Sequence, residues 1–130
     1  VATIDVRTRK VLRERPGVTT ADAVIRRQGD RVFALNRFGA NTVMELDPTD
    51  DLAPLWTCSV GVGSNPHDIV LAAPDKGYVT RYDWAKLAII DPSAGPTGCA
   101  GFLRGTIDLG PWADDDGFPD IVGPRPRHKR

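Results

Sequence analysis

Short apolar runs separated by turn residues set the pattern of the chain. Residues 69–72, 78–80 and 87–90 are such runs, rich in β-branched and aromatic side chains. Pro74-Asp75-Lys76-Gly77 and Tyr82-Asp83-Trp84-Ala85 supply the turns between them. In order, residues 1–6 read as a strand, 7–10 as a hairpin turn and 11–15 as its partner, closed by Pro16-Gly17. Strands at 22–26, 32–36, 42–47 and 55–60 follow, then a second set at 68–72, 77–81, 86–91 and 104–109. The pattern predicts no helix longer than about two turns.

The second set restates the first. At an offset of 44, Ala34-Leu35-Asn36-Arg37-Phe38 lies under Tyr78-Val79-Thr80-Arg81-Tyr82, and Val43-Met44-Glu45-Leu46-Asp47-Pro48 under Leu87-Ala88-Ile89-Ile90-Asp91-Pro92. A period of this length with four short strands per unit predicts an all-β fold, a partial β-propeller of four-stranded antiparallel blades. The expected organisation is a blade remnant at 1–15, complete blades at 22–60 and 66–109, and the start of a further blade at 116–121, where Pro119-Asp120-Ile121 echoes Pro66-His67-Asp68-Ile69. Residues 122–130, rich in proline, arginine and lysine, read as a disordered basic tail in preference to a nucleic-acid or membrane-surface tether. Propellers close with four or more blades. Two complete units and two partial ones are therefore expected to be part of a longer protein, with the remaining blades supplied by a parent chain or by self-association.

The net charge of zero hides an asymmetry: residues 1–37 hold nine Lys/Arg against four Asp/Glu, and residues 38–123 hold four against thirteen. The basic stretch reads as the solvent face of an outer strand pair. No aromatic residues interleave with its charges as a nucleic-acid surface would require, so no nucleic-acid partner is expected. No stretch is long and apolar enough for a transmembrane helix. Asp114-Asp115-Asp116-Gly117 has the start of a calcium loop without its terminal glutamate and reads as a solvated acidic turn. His67 and His128 lack zinc spacing, and no metal or cofactor is expected. Serine-nucleophile elbows and glycine-rich phosphate loops are absent from the sequence.

Candidate chemistry comes from the topology. In a propeller, the loop leading into each innermost strand and the loop joining the second and third strands share one face. That places Asn65, His67, Asp68, Arg81, Tyr82 and Asp83 at one mouth, with Asn36, Arg37 and Asn41 beside them. Arginine, histidine, tyrosine and carboxylates together suit an anionic or sugar-like ligand. Against that stands the recurrence of arginine at 37 and 81, which favours braces between blades, to Asp68 or to a loop carbonyl. His67, following a proline at a strand start, favours a structural role over that of a base. Cys58 on one outer strand and Cys99 just before the other are close enough for a bridge if the blades are adjacent, and equally compatible with two thiols.

Asn65-Pro66-His67-Asp68-Ile69, Gly77-Tyr78-Val79-Thr80-Arg81 and Leu87-Ala88-Ile89-Ile90-Asp91-Pro92 resemble the Tyr-Val-Thr-Asn (YVTN) family of β-propeller repeats, with Arg81 where that family has asparagine. The resemblance covers residues 1–121. It implies an extracytoplasmic location (periplasmic, surface, secreted or lipoprotein), which favours the disulfide. It implies a scaffold binding a protein or glycan, with a lactonase-like hydrolase or a purely structural segment as alternatives.

Overall fold

The computed structural model describes residues 1–14 and 17–113. The acidic turn at 114–117, the expected start of a further blade at 116–121 and the basic tail at 122–130 lie outside the described residues. The described chain forms ten strands: β1 (Ala2–Asp5), β2 (Lys10–Glu14), β3 (Ala23–Gln28), β4 (Arg31–Asn36), β5 (Thr42–Asp47), β6 (Ala53–Ser59), β7 (Pro66–Ala73), β8 (Lys76–Arg81), β9 (Lys86–Ile90) and β10 (Leu103–Asp108). They make three antiparallel sheets: the ribbon β1-β2, and two four-stranded meanders in the orders β3-β4-β5-β6 and β7-β8-β9-β10. The protein is all-β, and its two meanders are propeller-like blades.

Blade packing explains the strand sequences. β4 is apolar on both faces because both faces are covered. Val32 and Ala34 join Met44, Leu46 and Leu52 on one side, against Val1 and Val18. Phe33 and Leu35 join Val43, Trp56 and Cys58 on the other, against Ile69, Val79, Ala88, Ile90 and Phe102 of the second blade. This second cluster is the main core. Trp56 is its centre, with Phe33 and Phe102 at 6.1 and 5.4 Å between ring centroids. Its indole N–H donates to Glu45 at 2.7 Å, and Arg31 grips the same carboxylate through Nε and Nη2. Burial of a glutamate here is satisfied by three charge-assisted donors.

Several ties join the blades. Cys58 and Cys99 form a disulfide with 5.6 Å between their Cα atoms. Arg26 of β3 donates to Asp68 of β7 at 2.7 Å, Arg31 to the Pro74 carbonyl at 3.1 Å, and the Leu71 amide to Gln28. The chain between β9 and β10 is a longer connection than a hairpin. It makes a 3-10 turn at Pro92–Thr97 that lays Gly95 on Trp56, where a Cβ would sit 2.3 Å from the indole. Asp91 caps that turn through Ser93 and pairs with Arg104, and these partners hold its carboxyl below the usual carboxylate range, Ser93 contributing most.

The structure corrects the alignment of the repeats. On the faces turned toward the N-terminal end of the stack, Val32 and Ala34 of β4 correspond to Gly77 and Val79 of β8, an offset of 45, whereas Met44 and Leu46 of β5 correspond to Ala88 and Ile90 of β9, an offset of 44. The β7–β8 hairpin has register shifts that β3–β4 lacks, and these absorb the extra residue. Arg81 is therefore the counterpart of Asn36, and not of Arg37.

Candidate ligand-binding rim

One end of the stack is a rim of loops: residues 18–22, 37–41, 60–65 and 82–85. Backbone bonds stitch these loops together. The Arg37 amide donates to the Asp22 carbonyl, Val60 to Asn41, Tyr82 to Asn65 and Asp83 to Ser64. Asn41 adds a side-chain link, its Oδ1 accepting from the Asn65 amide at 2.8 Å. Both asparagines adopt positive φ, 54° and 49°, a conformation asparagine tolerates better than most residues.

Asn36 and Arg81 end the second strand of their blades, both buried, and do the same work there. Asn36 Oδ1 accepts from the Thr20 amide at 3.1 Å, fixing the linker into the first blade. Arg81 donates through Nη1 to the Val60 carbonyl at 3.3 Å, fixing the linker into the second, and through Nε to the Lys86 carbonyl at 3.0 Å. Desolvation lowers the Arg81 pKa, and a guanidinium remains charged at neutral pH even so. Its Cζ lies 4.5 Å from the centroid of Trp84. Arg37 has a different job: it lies past the strand end, half-buried, with Nη1 3.4 Å from Asp22 of its own blade.

Of the other sequence candidates, His67 and Tyr82 stack with ring centroids 6.4 Å apart, 28° between planes, both half-buried. Asn65 is buried two residues before His67, its carbonyl accepting from the Tyr82 amide at 2.9 Å and its side-chain Oδ1 without a hydrogen-bond partner. Asp83 is exposed on the same loop. Asp68 is brought near in sequence, but its carboxylate is committed to Arg26 and to the Ile69 amide, the expected arginine brace to Asp68 thus coming from Arg26. Asn36 and Arg37 belong to the equivalent corner of the first blade. Sequence reasoning passed over Arg26, Ser64 and Trp84. Trp84 was legible only as a turn residue, though a large aromatic side chain in a tight loop needs a packing partner, and Arg81 three residues earlier provides it.

Among the described residues no cluster of histidine, cysteine, aspartate and glutamate is arranged to hold a metal ion, and no helix is long and apolar enough to cross a membrane. No protein-family model matches the chain, and comparison with curated proteins and with solved structures likewise gives no match.

Proposed function

We propose that this chain is a propeller-repeat segment of the YVTN type that works as a non-catalytic binding scaffold outside the cytoplasm, taking a protein or glycan ligand at the rim. The observation that carries this reading is how the rim residues are employed. The side chains of buried Asn36, Asn41 and Arg81 are spent on fixing the loops, while His67 at the start of β7 and Tyr82, Asp83 and Trp84 on the adjoining loop are presented with accessible surface. Asp22 and Asp68 are turned to arginines, which takes these two carboxylates away from a general-base role. The disulfide between blades suits an oxidising compartment.

Arrays of glycans and of cell-surface ectodomains test the reading. A retained ligand should be lost with His67→Ala/Tyr82→Ala and kept with Asp75→Ala/Lys76→Ala at the opposite end of the stack. Binding that follows the opposite pattern overturns the rim assignment. Hydrolysis of lactones or phosphate esters that calcium restores and His67→Ala removes would replace the scaffold with an enzyme.

A further inference from the structure

We infer that Trp84 is the stacking platform of a saccharide subsite, formed with Lys86 and Asp108 at the edge of the rim. This rests on the rim reading above and names its ligand class. The four residues Trp84, Ala85, Lys86 and Asp108 line an open pocket of about 350 Å³, a size in the range of small-ligand sites.

The indole is held from behind. The Arg81 guanidinium stacks on it at 4.5 Å. Gly61, at φ +108°, lets the six-membered ring come so close that a Cβ there would lie 3.1 Å from Cη2. The Trp84 amide donates to the Arg81 carbonyl, and the Lys86 amide to the Trp84 carbonyl at 2.6 Å. A large side chain locked in this way and still 38% exposed presents a preformed flat apolar surface, with little conformational entropy left to lose on binding.

The polar partners are also positioned by the fold. Lys86 and Asp108 face each other across the β9–β10 ladder, and no ion pair joins them. Asp108 uses Oδ1 to accept from the Gly110 amide at 2.9 Å, which orients its carboxylate and leaves Oδ2 to accept from a ligand. The Leu109 amide donates to the Ala85 carbonyl at 2.8 Å, fixing the strand end to the pocket floor. By strand alternation Lys86 shares the face of Ala88 and Ile90, which is turned toward the first blade. The pocket is therefore not part of the outward face of β7–β10.

A flat aromatic face flanked by one cationic donor and one anionic acceptor selects a ligand with a ring of weakly acidic C–H groups, hydroxyl donors and acceptors on its edge, and no net charge. A neutral pyranose has all three. Its axial C–H groups meet the electron-rich indole face by the same electrostatics that favour edge-to-face aromatic contacts, one hydroxyl donates to Asp108 Oδ2, and another accepts from Lys86 Nζ.

The test is an NMR titration of the full chain with tetramers of β-1,4-linked glucose and of β-1,4-linked N-acetylglucosamine, following the Trp84 indole N–H and the His67 and Tyr82 ring signals. A saturable shift at Trp84 with one of them is expected. Trp84→Ala should weaken binding by about tenfold or more, equivalent to about 1.4 kcal/mol. Asp108→Asn should weaken it severalfold, and Trp84→Phe, which keeps a flat platform, should retain it. The last two variants keep the test alive if Trp84→Ala fails to fold. Shifts confined to His67 and Tyr82 overturn the Trp84 subsite and leave the scaffold reading standing. No shift anywhere in the rim overturns the saccharide assignment, as does an array ligand that is a protein and needs Trp84.

Discussion

Arg81 shows how one side chain sets loop geometry at the residue scale. It is almost wholly buried, has no carboxylate partner among the described residues, and sets Nε and Nη1 on two backbone carbonyls and its flat face on an indole, while Nη2 has no hydrogen-bond partner. Burying a cation this way is tolerable because carbonyl dipoles and the π-face replace its water. Replacing it by alanine removes those donors and leaves the Val60 and Lys86 carbonyls to find others, so Arg81→Ala should lower stability by about 1–3 kcal/mol in urea unfolding. Arg37→Ala, which breaks only a half-exposed contact with Asp22, should cost less than about 1 kcal/mol. Equal losses at the two positions would mean that they are repeat partners after all. Unchanged stability with loss of rim binding in Arg81→Ala would make Arg81 a ligand group and not a brace.

Among the elements, the sheets were legible and their mutual register was only half so. Third-strand runs such as Val43-Met44-Glu45-Leu46 and Leu87-Ala88-Ile89-Ile90 align at 44 because the connection before β9, residues 82–85, is one residue shorter than residues 37–41 before β5. The second strands align at 45 because irregular pairing in β7–β8 adds a residue, and a gapless comparison of letters has no means to register a bulge. That single residue is why two arginines looked like repeat partners. Nor does local pattern disclose Arg26–Asp68 or Arg31–Glu45–Trp56, since these depend on which sheet faces which. The disulfide joins the elements covalently over a sequence separation of 41. Closing a loop of that length restricts the unfolded chain, so reduction, or Cys58→Ser with Cys99→Ser, should lower unfolding free energy by about 4 kcal/mol. Denaturant titration with and without reductant measures it, and a loss below about 1 kcal/mol would mean that noncovalent contacts already hold the blades as tightly in the unfolded ensemble.

For the molecule as a whole, the question is what its end faces do. The outward face of β7–β10 carries Val70 and Ile107, 53% and 41% exposed, beside half-buried Tyr78, Leu87 and Ile89. Tyr78 occupies the place that Phe33 fills in the first blade, where a neighbouring sheet covers it. The ribbon at the other end exposes Ile4 at 60% and Val6 at 90%. Apolar faces of this kind drive association. The isolated chain should therefore self-associate, or bind the dye ANS, in sedimentation and fluorescence measurements at micromolar concentration. A monodisperse monomer without dye binding would refute that. The latches at Asn36 and Arg81 bear on a different matter, that of where one module stops and the next begins. Each grips the strand of backbone that leads into its own blade, so a blade and its leader form one mechanical piece. A transplantable cassette would thus start at Val60 and run through β10, and a graft cut at the first residue of β7 would arrive with its clasp closed on nothing.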